Sequence, residues 1–309
     1  MLSVVIPTFR KPDQLRQTLE ALEADASDLA GACEVVVVDD GSGDGRTPAL
    51  VREFSGRLPL VDASSPENIG RARARNRGWR AAGGESILFL DDDIRLRPGA
   101  LQAHLRAQES REAAWMGVVL TAPDISDSIL FDYLDSRGTG KLLAGQHPPA
   151  RYLLTQNVSI PRSALEEIGG FDEDFGSYGF EDMDLAFRLE DAARLPMRYL
   201  DAAVGEHVHH HTLGEYLEKK RLCGESTLPR IAELHPNRVP EMRLDLLPGI
   251  GGENALSAVL EWSWRFRIQW AVKAVVQAWP RRLVPELAFL GLDYLVMAAY
   301  RDGLKRRLP

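Results

Sequence analysis

The chain has 309 residues, 45% hydrophobic and 27% charged, so it carries material for a sizeable core and is neither fibrous nor disordered in composition. Two cysteines, Cys33 and Cys223, are too few for a disulfide framework and lack metal-site spacing, which makes a reducing, cytosolic setting the simpler expectation. Net charge is −8 but uneven: residues 261–309 hold nine Lys/Arg against four Asp/Glu, leaving −13 on residues 1–260, and so acidic a body excludes a general nucleic-acid binder.

Met1-Leu2-Ser3-Val4-Val5-Ile6-Pro7 has no basic n-region and no long apolar stretch, and reads as a first strand, Ser3–Pro7, rather than a signal peptide. Leu15, Leu19 and Leu22 share one face of a helix over Asp13–Ala24. Glu34–Val38 is a second apolar strand running into the turn-rich Asp39-Asp40-Gly41-Ser42-Gly43, and Leu60–Val61 a short third. An Arg- and Ala-rich helix over Arg71–Ala82 stops at Gly83-Gly84, and strand Ser86–Leu90 then delivers Asp91-Asp92-Asp93. This alternation predicts an α/β fold with a mostly parallel sheet. Ligands of such sheets bind beyond the carboxyl ends of the strands, where both acidic clusters fall.

The second half changes character. Tyr152–Ile160 reads as a strand, Ser163–Ile168 as a short helix, Gly169–Gly179 as a glycine-rich loop, Glu181–Ala192 as a helix with an acidic start, and Met197–Val204 as the last strand. From about Thr212 the pattern is helical, with one helix over Leu256–Ala278 and another over Val284–Arg307. Trp262, Trp264, Trp270 and Trp279 mark the apolar face of this tail, and no stretch reaches the roughly 20 apolar residues of a spanning helix. The expected division is residues 1–215 as the catalytic domain and 216–309 as a helical appendage. The tail would pack against that domain or a second subunit, with contact to a membrane surface as the other reading.

Four features carry chemistry. Closely spaced carboxylates at a rigid strand end, as in Asp91-Asp92-Asp93, can hold a hard divalent cation whose remaining positions take phosphate oxygens, although a solvated acidic loop is the plain alternative. A carboxylate in Asp39-Asp40-Gly41-Ser42 can accept from the N3–H of a uracil-type base, or the segment is simply a turn. In Tyr178-Gly179-Phe180-Glu181-Asp182-Met183-Asp184 an Asp at the helix start can act as a general base, or the acidic residues merely favour a helix N-terminus. In His207-Val208-His209-His210-His211, strand geometry would put His207, His209 and His211 on one face, so one or two at most could join a Mn²⁺ or Mg²⁺ site.

In order and spacing these features resemble family 2 glycosyltransferases of the GT-A fold, over about residues 1–215. The matching segments are Ser3-Val4-Val5-Ile6-Pro7-Thr8-Phe9, Val37-Val38-Asp39-Asp40-Gly41-Ser42, Glu67-Asn68-Ile69-Gly70 with Ala74-Arg75-Asn76-Arg77-Gly78, Phe89-Leu90-Asp91-Asp92-Asp93 (a DxD motif), Gly169-Gly170-Phe171-Asp172-Glu173, and Glu181-Asp182. The resemblance implies an inverting, metal-dependent transferase using a nucleotide-sugar donor, by default a UDP-sugar, in polysaccharide or other glycoconjugate synthesis. It implies that Pro7, Thr8, Phe9, Arg10, Asp40, Asn68, Arg71, Asp91 and Asp92 surround the donor. Asp93, Asp91 and His207 would hold the metal, with His209 as fallback for the histidine. Asn157, Gly170, Phe171 and Glu181 would lie on the side of a carbohydrate, lipid-linked or small-molecule acceptor, and Asp182 would be the base. The implied setting is cytoplasmic or peripheral at the inner membrane face, with a homodimer left open.

Two rivals stand beside this reading. A non-catalytic nucleotide-sugar-binding protein would not need Asp91, Asp93 and Asp182 together. A sugar-1-phosphate nucleotidyltransferase would carry a glycine-rich, Arg-containing loop after the first strand, where this chain has Pro7-Thr8-Phe9-Arg10-Lys11-Pro12.

Overall fold

The computed structural model describes residues 1–26, 31–125, 128–137, 147–210, 212–251, 255–281 and 283–307. The chain forms two compact units: the first comprises 1–125, 135–176 and 182–209, and the second the described parts of 126–134, 177–181 and 210–309.

The first unit is built on one eight-stranded sheet. In chain order its strands are β1 (Leu2–Thr8), β2 (Cys33–Asp39), β3 (Leu60–Asp62), β4 (Ser86–Leu90), β5 (Ile94–Leu96), β6 (Ala114–Thr121), β7 (Asn157–Pro161) and β8 (Met197–His207), and in space they run β3-β2-β1-β4-β7-β6-β8-β5. β3, β2, β1 and β4 are parallel to one another; β7 enters antiparallel to both β4 and β6, and β8 runs parallel to β6 and antiparallel to β5. Buried along nearly their whole length, β1 and β4 carry the continuous apolar runs 4–7 and 87–90 instead of alternating. The helices α1 (Pro12–Ala26), α2 (Arg46–Phe54), α3 (Arg71–Ala81) and α4 (Ala100–Ala107) flank the sheet. Leu15, Leu19 and Leu22 of α1 join Val4, Ile6, Val35, Val37 and Leu88 in one buried core, as the leucine spacing predicts.

Several elements differ from the sequence expectation. The strand expected over Tyr152–Ile160 is β7, beginning only at Asn157 after a single 3₁₀ turn at Ala150–Tyr152. The last strand runs three residues past Val204, ending on His207. Strands β5 and β6 and helices α2 and α4 have no counterpart in the expected elements. Helix α5 (Ile129–Asp135), which follows β6 along the chain, also has no counterpart among the expected elements; α6 (Arg162–Ile168) and α7 (Glu181–Asp191) fall where helices are expected.

The second unit is helical. It contains α8 (Leu213–Glu225), whose N-terminus carries a capping box between Thr212 and Glu215, then α9 (Thr227–Leu234), α10 (Ala255–Arg265), α11 (Ile268–Gln277) and α12 (Pro285–Arg307). The single helix expected over Leu256–Ala278 is two: the chain turns left-handed at Arg267, φ 57°, between α10 and α11. α8 and α12 meet backbone to backbone at Gly224 and Gly303, where any Cβ would overlap the opposite helix. Ile129, Leu130, Tyr133, Val276, Ala288, Leu292 and Leu295 form the unit's own core, and Tyr133 donates to Asp293 at 2.7 Å. No helix among the described residues is long and apolar enough to cross a membrane.

Candidate active site

Three parallel strands deliver polar residues to one edge of the sheet. β1 ends at Thr8 beside Asp39 of β2, and Asp40 N–H donates to the Thr8 carbonyl at 2.8 Å. Asp40 is buried, and its two oxygens accept the backbone N–H groups of Ile69 (2.7 Å) and Gly70 (3.1 Å). The segment carrying Asn68 and leading into α3 is thereby tied to the end of β2, and Arg71 opens α3 with its side chain exposed. Burial pushes the Asp40 carboxyl up, against the lowering pull of those two amides. Pro7 is half-buried and Phe9 exposed; Arg10 lies over the Phe9 ring at 4.8 Å, while its N–H donates to Ser42 Oγ at 2.7 Å.

The acidic triplet follows β4. Asp92 and Asp93 are buried and Asp91 is half-buried. Thr8 Oγ1 donates to Asp92 Oδ2 at 2.7 Å, and Lys11 Nζ bridges Asp92 Oδ1 (3.1 Å) and Asp93 Oδ2 (2.8 Å). Burial pushes the Asp92 carboxyl up. Burial acts the same way on Asp93, but His207 and Lys11 outweigh it and hold that carboxyl below the ordinary range. The segment between β1 and α1 thus supplies a fixed cation to the triplet, through a residue the sequence reading passed over.

His207, at the end of β8, places Nε2 3.7 Å from Asp93 Oδ1, and His209 lies beyond it with ring centroids 6.3 Å apart. His210 sits in the second unit, against Phe131, and His211 lies outside the described residues. No group of three or more His, Cys, Asp or Glu residues converges on one point among the described residues. Two adjacent ligands of one ion, each about 2.1 Å from it, lie roughly 3–4 Å apart, so the Asp93–His207 pair fits two neighbouring positions of a coordination shell. Small hard cations commonly take only one or two protein ligands and leave the rest to phosphate and water.

Across from the triplet the organising side chain is Arg75. It lies inside α3, 2% exposed, and donates through Nη2 to Asp91 Oδ1 at 2.9 Å, while Nη1 stands 3.9 Å from Asp182 Oδ1. Thr155 Oγ1 donates to that same Asp182 oxygen at 2.5 Å. Residues of three distant segments therefore meet at one guanidinium. Phe171 forms the wall beneath it, with the Arg75 Cζ 5.7 Å from the ring and Phe89 edge-on at 5.2 Å. Asn76, fully buried, clamps the 170–173 loop through Phe171 N and O and Glu173. Gly170 has φ 79°, and a Cβ there would come within 2.5 Å of Asn76 Oδ1 and 2.7 Å of Trp79 Nε1. Arg188 grips Asp184 and donates to the Ile168 and Gly170 carbonyls, which fixes α7 to the same loop. Glu181 is buried within the second unit.

Asn157, expected on the acceptor side, is instead buried in the sheet. Its Nδ2 donates to the Val118 and Ala203 carbonyls and its Oδ1 meets His104 Nε2 at 2.9 Å. His104 Nδ1 pairs with Ser159 Oγ, which Gln108 Nε2 also reaches at 3.1 Å. Complete burial pushes the His104 imidazole down to about 4, so it is neutral at pH 7. The chain Gln108–Ser159–His104–Asn157 braces α4, β6, β7 and β8 from within.

Comparison with known proteins gives a consistent result. A family model described as glycosyl transferase family 2 matches residues 3–169, more than half of the chain. A validoxylamine A glucosyltransferase from Streptomyces hygroscopicus subsp. jinggangensis is 29% identical over 274 residues, covering 78% of this chain and 63% of that protein. The chain spans just under two thirds of the length of such relatives. Among solved structures, a mannosyltransferase from Pyrobaculum calidifontis in complex with GDP-Man and Mn²⁺ superposes with a TM-score of 0.65 at 19% identity, covering 97% of this chain and 86% of its own. TarS 1–349 of S. aureus in complex with UDP gives 0.56 at 19% identity, covering 98% and 90%. At these identities the two structures speak to the fold.

Proposed function

Since the chain belongs to glycosyl transferase family 2, we propose that it moves a sugar from a nucleoside diphosphate donor, a UDP-sugar, to an acceptor hydroxyl with inversion at the anomeric carbon. The observation that carries this reading is the Arg75 junction, which holds Asp91 of the acidic triplet and Asp182 within reach of one guanidinium. A donor site without a base, or a helix cap without a donor site, would not need that junction.

The donor lies along the carboxyl ends of β1, β2 and β4 in this proposal. Asp40 and Asn68 face the base, Thr8, Phe9 and Arg10 line the nucleoside, and exposed Arg71 at the start of α3 reaches toward the phosphates, where a helix N-terminus favours negative charge. Asp93 and His207, with Asp91 nearby and His209 as the alternative histidine, would hold a Mn²⁺ or Mg²⁺ ion. Bound there, the ion supplies charge neutralisation for the diphosphate leaving group. Asp182 accepts the proton of the acceptor hydroxyl as that oxygen bonds to the anomeric carbon. The bond from that carbon to the diphosphate oxygen breaks, and its electron pair leaves with the nucleoside diphosphate. Thr155 and Arg75 orient the Asp182 carboxylate. The acceptor is a carbohydrate, a lipid-linked sugar or a small molecule presented near the 170–173 loop. One neighbour holds UDP and another GDP-Man with Mn²⁺, which by analogy of fold supports a nucleoside diphosphate donor and a divalent ion, with uridine the default base.

The test is release of nucleoside diphosphate from a panel of nucleotide sugars with Mn²⁺, comparing the wild type with Asp182→Asn. The variant should lose at least 100-fold in turnover while donor affinity changes less than about threefold. Full turnover in the variant would remove Asp182 from the mechanism, and no diphosphate release by the wild type from any donor would remove the transferase reading.

A further inference from the structure

A water-facing helix normally turns its apolar stripe inward and its polar residues outward. α10 and α11 turn apolar residues outward as well as inward. On α10 the buried positions include Ser257 and Trp264, while Leu256, Val259, Trp262 and Phe266 point to solvent, Val259 at 61%, Trp262 at 58% and Phe266 at 62% exposure. Those residues are spaced three or four apart and form one outward stripe. On α11 Val276 is buried, whereas Trp270 (66% exposed), Ala271, Ala274 and Val275 face out with no charge among them. Leu283, Val284, Leu287 and Leu290 extend the exposed apolar set into the start of α12.

The exposed charges along 255–281 have one sign. Among the described residues there they are Arg265, Arg267 and Arg281, the last paired with Asp132, while the start of α12 adds one exposed carboxylate, Glu286. Glu261 is the acidic residue within 255–281, half-buried and already bound by Arg301 and Lys305. The arrangement contrasts with the body of the protein, which carries −13 over residues 1–260 against +5 over 261–309. Outward tryptophan and phenylalanine with arginine beside them is the chemistry of a helix lying in a lipid–water interface: aromatic rings enter the headgroup boundary and guanidinium groups meet anionic headgroups.

We propose that the outward faces of α10 and α11, with the start of α12, form a binding surface for an anionic bilayer, on which these helices lie without crossing it. Trp264 is buried beside Tyr294 and Arg301 within the second unit, while Trp262 and Trp270, expected to pack against the catalytic domain or a second subunit, are exposed within this chain. The proposal rests on the second unit alone and is independent of the sugar-transfer reading.

Flotation of the full chain with phosphatidylcholine vesicles containing 0 or 30% phosphatidylglycerol, at low and high salt, tests it. The wild type should float with the anionic vesicles, and binding should fall steeply with salt. Arg265→Gln with Arg267→Gln should weaken partitioning about thirtyfold, since each cation contributes about 1 kcal/mol near an anionic surface. Trp262→Ala with Trp270→Ala should weaken it at least tenfold while leaving thermal unfolding within a few degrees, because both rings are exposed. Brominated lipid should quench wild-type tryptophan fluorescence. The proposal is overturned if the wild type fails to float on anionic vesicles, or if both double variants float like the wild type. It is equally overturned if sedimentation shows a dimer that Trp262→Glu with Trp270→Glu dissolves while vesicles bind neither protein, because the face would then belong to a second copy.

Discussion

Arg75 and His104 are both buried inside the first unit, one charged and one neutral, and each makes a prediction. Arg75→Met leaves Asp91 and Asp182 without their shared counter-charge. It should cost about 3 kcal/mol in urea unfolding and at least 100-fold in turnover, whereas a site assembled without this residue would lose only stability. The His104 prediction concerns pH. Its folded-state value of about 4 lies below the ordinary imidazole value of 6.5, so the fold favours the neutral form. That contribution is present in full above pH 6.5 and is lost as pH falls through 6.5 toward 4, about 3 kcal/mol over the window. Unfolding measured at pH 7.5 and 4.5 should show the loss in the wild type, and a smaller one in His104→Gln. Equal losses in the two proteins would assign the acid sensitivity to other groups. At this scale the sequence was only half legible. Asp40, Asp91, Asp93 and Asp182 stand out as carboxylates at strand and helix ends. Arg75, by contrast, is one of five arginines in ten residues of Arg71–Arg80, and nothing local says which of them turns inward. Lys11 and Thr155 acquire meaning only from partners 81 and 27 residues away.

The loop 169–175 and helix α3 are locked together by shape as well as hydrogen bonding. Gly170→Ala would force a side chain into a left-handed backbone position and against the Asn76 amide and the Trp79 ring. The expected cost is about 2–4 kcal/mol, read from the denaturation midpoint, with a loss of turnover from displacement of Phe171 beneath Arg75. A change below about 1 kcal/mol would show that the loop relaxes freely. Elements with strong patterns were readable in advance: β1, β2 and β4 are centred on the apolar runs 4–7, 35–38 and 87–90, and α1 has its leucines on one face. β6 was not, because Gly117 interrupts its apolar run; that glycine leaves room for the Asn157 amide, a reason visible only once β7 is in place. β5 is three residues long and pairs with β8 more than 100 positions later, so no local pattern announces it.

For the molecule as a whole, donor and cation should act through mass action. A matching nucleotide sugar with Mn²⁺ should raise the midpoint of thermal unfolding by several degrees, and EDTA should erase most of that gain. A shift indifferent to EDTA would mean that the donor is held without an ion, and Asp93 and His207 would need another explanation. The left-handed residue at Arg267 bears on the molecule's relation to its surroundings. An uninterrupted helix from Ala255 to Gln277 would be a rod about 34 Å long, enough to thread the hydrocarbon layer of a bilayer. Divided at that joint it becomes two stubs, each about half that length and each independently aimed. One torsion angle thus sets aside the geometry of a membrane plug, and leaves two short cylinders that can settle side-on against a broad surface.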